Sequence, residues 1–127
     1  MNYDKVIFGF FIILSLTLNF GFFIGDIDNP EHHNLVEFFF VVVVNIIATG
    51  LKLGDRTQIG ALLLATSFVA VLQLVTASVV WAYEVHIAQT GLTPAVTASI
   101  VSLSGGALLA NIISVTILVS EALMMRR

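Results

Sequence analysis

Four stretches of this chain are apolar almost without a break, and the polar residues gather between them. The stretches are 6–25, 35–53, 59–83 and 95–119. A helix needs about 20 apolar residues to cross a hydrocarbon core of about 30 Å, and each stretch meets that length. Little sequence remains for a soluble domain, so residues 1–127 are expected to form a single transmembrane domain. The first stretch ends in Phe22, Phe23, Ile24, Gly25 and Asp26, without the small-residue pattern of a signal-peptide cleavage site. It is therefore expected to be a span.

The polar punctuation predicts where the helices begin and end. Asn34 followed by Glu37, and Asp55 followed by Gln58, have the spacing of a capping box. Thr93 before Pro94 predicts the start of the fourth helix, because proline at the first helical position lacks only an amide that would be unpaired anyway. Gly54 can end the second helix. The short turn after it makes the second and third helices an antiparallel hairpin.

Composition turns this pattern into a class. Of the 127 residues, 58% are hydrophobic and 10% charged, and the net charge is −3. Mean hydropathy is +1.04. Soluble domains carry about 25% charged residues. The balance excludes a disordered chain, a solvated enzyme and a phosphate-binding basic surface, so no nucleic-acid partner is expected. The chain has no cysteine, which removes disulfides, thiolate metal sites and cysteine nucleophiles. Nucleotide-binding, metalloprotease and serine-hydrolase signatures are absent. The chain is read as a non-enzyme with no cofactor and no metal site.

Charge placement predicts orientation. In a four-span arrangement Lys5, Lys52, Arg56, Arg126 and Arg127 all fall on one side. By the positive-inside rule both termini are cytoplasmic, in a multi-pass protein of a cell membrane such as the bacterial inner membrane. The other side carries Asp26, Asp28, Glu31, Glu37 and Glu84 with His32, His33 and His86. Trp81 and Tyr83 suit the outer interface and Tyr3 the inner one.

Small residues recur at four-residue spacing: Thr17, Gly21 and Gly25 in the first span, and Ala98, Ser102, Gly106, Ala110 and Ser114 in the fourth. Such rows let helix backbones approach closely in lipid. They serve packing within one bundle or between copies, and their number favours a homo-oligomer. Gly105–Gly106 is either a helix break that frees carbonyls for an ion or a place of close packing. The amides Asn19, Asn45, Gln73 and Asn111 are expected to bond across helices.

The second span carries the most specific pattern. At 100° per residue, Val41, Val44, Ala48 and Lys52 share a face with Glu37, and Asn45 lies beside it. The order is acid, valines, alanine, base. Around a symmetry axis it would form a carboxylate ring above an apolar constriction, and acidic rings select cations. Glu37 also fits as the third-position acid of the Asn34 cap, favoured by the helix dipole, and Lys52 as a lysine reaching to the interface. The loop 26–34 is either a solvated, cation-attracting loop or a metal site, although adjacent histidines do not converge as ligands.

In pattern alone, the acid–apolar–base order resembles the pore helix of calcium-release-activated channels. The glutamate of small multidrug exporters is missing from the first span, and the potassium-filter string TVGYG is absent. The reading is an all-α integral membrane protein with four spans, embedded in the lipid bilayer. Its expected function is a homo-oligomeric pathway for an inorganic cation. A non-conducting accessory subunit, and a small secondary transporter using Glu37, are the alternatives.

Overall fold

The computed structural model describes residues 3–26, 28–53 and 58–125. They form four long helices: α1 (Tyr3–Phe23), α2 (Leu35–Lys52), α3 (Gln58–Ala82) and α4 (Pro94–Met125). A 3-10 turn (Pro30–His32) lies between α1 and α2, and a wider π turn (Tyr83–Ile87) ends α3. All four helices are long and apolar enough to cross a membrane.

Local chemistry explains the helix ends. Asn34 accepts a hydrogen bond from the Val36 amide at 2.7 Å and so caps α2. Thr93 Oγ1 accepts from the Val96 amide at 3.2 Å, with Pro94 opening α4. The expected Asp55 cap and Gly54 stop lie outside the described residues. α1 ends at Phe23, before the row of small residues reaches Gly25, whose φ of +111° is non-helical. α4 continues past residue 119 to Met125, because Glu121, Ala122, Leu123 and Met124 all favour helix although the run is no longer purely apolar.

The helices pack as a ring. α3 makes its main contact with α4, α1 lies on both α2 and α4, and α2 lies on α3. The first turn of α1 and the last turns of α2 and α4 border one cavity, so these three helix ends share one end of the bundle. The interior holds Ile12, Phe22, Val41, Leu74, Ile100, Val101 and Ala107. The outward surface carries large apolar side chains, among them Phe10, Phe20, Phe39, Leu72 and Leu109. That surface suits hydrocarbon, while the backbone polar groups are paired inside each helix.

Close approach is concentrated at α4. A Cβ on Gly106 would lie 2.5 Å from Gln73 Nε2, and one on Gly105 would lie 2.8 Å from the Phe23 ring. The helix runs unbroken through the pair, so these glycines make room for neighbours. Ala110 and Ser114 also face inward, whereas Ser102 is exposed.

At Gly25 the left-handed conformation and the space are both restrictive, because a Cβ there would meet His32 Cβ at 2.8 Å. Gly25→Ala is expected to destabilise the protein by about 1–3 kcal/mol, the usual cost of backbone strain of this kind. Thermal unfolding in detergent checks it, with Gly50→Ala, which meets nothing within 4 Å, as the neutral control.

Candidate functional site

The residues of the α2 face come together inside the bundle of a single chain. Val41, Val44, Asn45 and Ala48 are buried, and Glu37 is half-buried at the opposite end from the helix termini. A path along this face would therefore run within the four-helix ring, not along an axis between copies. The Glu37 carboxyl lies over Gly21 of α1, 3.8 Å from where a Cβ would stand. Glycine leaves room for the carboxyl to lie against α1.

Lys52 closes this face, and it does not reach to the interface as its place at a helix end suggested. It is 1% exposed. Its Nζ donates to Leu63 O at 3.1 Å, to Ser67 Oγ, and to Ser114 Oγ at 3.2 Å. Ser114 Oγ is 2.5 Å from Thr66 Oγ1, and Thr66 Oγ1 donates to Leu63 O at 2.9 Å. The Thr66 proton is thus committed to the carbonyl, so Ser114 donates to Thr66 and accepts from Lys52. All three ammonium hydrogens have partners, and every partner is a neutral oxygen. Among the described residues no carboxylate lies within ion-pair distance of Lys52.

A second polar group lies deeper, between α1 and α4. With the Asn19 amide assigned by its surroundings, nitrogen toward Ser104 O, it donates there at 3.1 Å and its oxygen accepts from the Leu108 amide and from Asn111 Nδ2, both at 3.0 Å. Ser104 O and Leu108 N–H stand four residues apart, as the two ends of a helical rung do, so Asn19 reaches both groups beside the glycine pair. Asn19 and Asn111 thus bond across helices as amides in lipid are expected to. Asn45 does not: its Nδ2 donates to Val41 O of its own helix at 2.7 Å, and Thr49 Oγ1 donates to Asn45 O at 2.8 Å. Gln73 packs on Gly106 with its Oε1 buried and unpartnered.

The two ends of the polar interior differ. At the end shared by Tyr3 and Met125, α1, α2 and α4 border a cavity of about 720 Å³. Ile7, Phe8, Leu51 and Leu118 line it, with Asp4, Lys5 and Glu121 among its polar residues. Leu51 and Leu118 neighbour Lys52 and Ser114 along their helices, but neither Lys52 nor its partners line the cavity. The opposite end is shut by packed aromatic rings. Phe22 lies 4.9 Å from Phe38 and Phe38 lies 5.2 Å from Trp81, centroid to centroid. Trp81 is buried in this plug, not placed in an interfacial belt.

Asp26, Asp28 and Glu31 are exposed on the loop after α1, as a solvated acidic loop requires. Among the described residues no cluster of three metal-ligating side chains occurs. The polar partners of Lys52 were not legible in the sequence. Ser67 and Ser114 look like ordinary small residues of packing rows until the fold brings them to one ammonium.

Four such helices, with polar clusters set in an apolar interior, define a multi-pass helical protein of membrane-spanning dimensions. Residues 32–122 match the model of a family of unknown function (DUF6394), and the chain belongs to that family. No curated protein and no solved structure matches it.

Deleting a buried charge also deletes its desolvation cost, and the neutral hydroxyls left behind can pair with nearby carbonyls, whereas deleting the partners of a buried charge leaves that cost unmet. Lys52→Met is therefore expected to leave thermal stability unchanged or higher. Ser67→Ala combined with Ser114→Ala, which leaves the ammonium only Leu63 O, is expected to lower stability by about 1–3 kcal/mol or more. Unfolding of the two variants beside wild type in the same detergent checks the difference in sign.

Proposed function

We propose that this protein is a cation-permeation protein of a cell membrane, with its path inside its own four-helix ring and Lys52 as the charge that closes it. The observation that carries this reading is the buried ammonium held only by neutral oxygens. Ionisable groups inside a membrane-spanning bundle are costly and are rarely kept without a role in moving ions or substrates. Glu37 would receive a cation at the acidic end, where Asp26, Asp28, Glu31 and Glu84 strengthen the local field. A cation reaching the other end would meet Lys52, about 22 Å farther along α2. Like charge repels it there until Lys52 moves aside.

By the positive-inside rule the termini are cytoplasmic, which fits a bacterial inner membrane. Homo-oligomerisation has less support, because Gly106, Ala110 and Ser114 spend their small surfaces inside one chain. The accessory-subunit alternative keeps one favouring observation: the aromatic plug and the lysine cluster leave no open route through the bundle.

The test is cation flux into liposomes holding purified protein. Glu37→Gln is expected to lower flux about tenfold, and Lys52→Met to raise it by a similar factor, each about 1.4 kcal/mol at the barrier. Opposite signs support the reading. Flux unchanged in both variants moves the path elsewhere, and no flux in any folded, inserted variant leaves the accessory subunit as the better account.

A further inference from the structure

The cavity between α1, α2 and α4 is graded in polarity along the helix axes. Asp4 and Lys5 stand in the first turn of α1, and Glu121 stands one turn before the end of α4. Phe8 and Leu118, which also line it, lie one turn farther from those ends, about 5 Å deeper along each helix. Ile7 and Leu51 add to this apolar inner wall. Charge at the mouth and hydrocarbon within match the two ends of an amphiphile. The volume, about 720 Å³, lies in the range of about 300–1,000 Å³ that small-molecule sites occupy. Water suits the inner part poorly, because a buried water needs two to four polar partners and these four side chains offer none. In helices of membrane-spanning length the terminal turns stand near the lipid headgroups, so phospholipid is the amphiphile at hand.

Gly9 gives the cavity part of its width. It lies in the wall, and a Cβ built on it meets nothing within 4 Å. Gly21, Gly105 and Gly106 differ, because each leaves room for a neighbouring side chain: Glu37, Phe23 and Gln73 in turn. Glycine inside a helix is less stable than alanine, and among the described residues no close neighbour accounts for Gly9. A larger residue there would take up space inside the cavity without displacing a helix.

We propose that this cavity binds one phospholipid with an ethanolamine headgroup, an acyl chain passing Gly9 between Phe8 and Leu118 and the headgroup at the charged mouth. The charges at the mouth have both signs, as those of the headgroup do. The phosphate pairs with Lys5. The primary ammonium donates charge-assisted hydrogen bonds to the carboxylates of Asp4 and Glu121. A choline headgroup carries the same charges but has no N–H to donate. A glycerol headgroup brings the phosphate without an ammonium and sets a net negative charge beside two carboxylates. A lipid held in this way ties the start of α1 to the ends of α2 and α4. None of the residues that hold it belongs to the ion path proposed above, so the site stands apart from that reading.

Native mass spectrometry of the full chain, released from detergent after equilibration with one phospholipid at a time, counts the bound lipids. The probes are dioleoyl phospholipids with ethanolamine, choline or glycerol headgroups. The wild type is expected to hold one ethanolamine lipid per chain, about tenfold more tightly than either of the others. Gly9→Leu, which fills the wall, is expected to weaken that binding about tenfold. Asp4→Asn combined with Glu121→Gln is expected to keep lipid binding and lose the preference for ethanolamine. Thermal unfolding in the same detergent separates a blocked site from a misfolded chain. Without added lipid, Gly9→Leu should be at least as stable as wild type, because leucine is the better helix former. Added ethanolamine lipid should raise the unfolding midpoint of the wild type and not that of Gly9→Leu. Equal binding of the three lipids, or preference for the choline or glycerol headgroup, overturns the proposal. So does ethanolamine binding that Gly9→Leu leaves unchanged, or a preference that survives loss of both carboxylates. If Gly9→Leu proves unstable, the carboxylate pair at the mouth decides alone.

Discussion

The ammonium of Lys52 is surrounded by protein on all sides and by no counter-charge among the described residues. Removing such a group from water costs several kcal/mol even after relaxation, so the helices around it must return that energy in hydrogen bonds. This constraint accounts for much of the geometry at one end of the bundle. α3 presents Leu63 O and Ser67 Oγ, and α4 presents Ser114 Oγ. Thr66 Oγ1 then accepts the hydrogen bond of the Ser114 hydroxyl. A single residue of α2 thereby sets the approach of α3 and α4. Small hydroxyl residues are needed at those positions for bonding as well as for packing.

The same logic extends along the interior with neutral groups. Asn19 and Asn111 tie α1 to α4 where Gly105 and Gly106 let neighbours approach. At the far end aromatic packing replaces hydrogen bonding, and a loop histidine lying between two backbone carbonyls covers the rings. Polar bonding, close packing and an aromatic seal thus follow one another along a single axis. Only the first and last of them involve ionisable groups.

Much of the architecture was legible in the sequence because lipid imposes simple rules. Length and apolarity mark the four helices, and Asn34, Thr93 and Pro94 mark helix starts by local chemistry that needs no tertiary context. The face shared by Glu37, Val41, Val44, Ala48 and Lys52 was legible too, since helical periodicity alone places them together. What that face meets was not. Periodicity gives a direction around one helix, and only the arrangement of the other three turns that direction inward, against α3 and α4. The same limit hid the roles of Trp81 and His33. An aromatic residue near a span end suits an interfacial belt, and a histidine among acids suits a solvated loop. Trp81 is buried by Phe22 and Phe38, which are distant from it in sequence, and His33 by the return of its loop onto the end of α1.

The two ends of the bundle are held in different ways. Lys52 has all three donors satisfied by neutral oxygens of three residues on two helices, so displacing it breaks several bonds at once and requires α3 and α4 to respond. His33 lies between two carbonyls near the end of one helix and against the Phe22 ring, so displacing it disturbs the end of α1 and leaves the contacts of α3 with α4 in place. Substitutions at the first end therefore act on the packing of three helices together, whereas substitutions at the second act on one helix end and the loop that folds back on it.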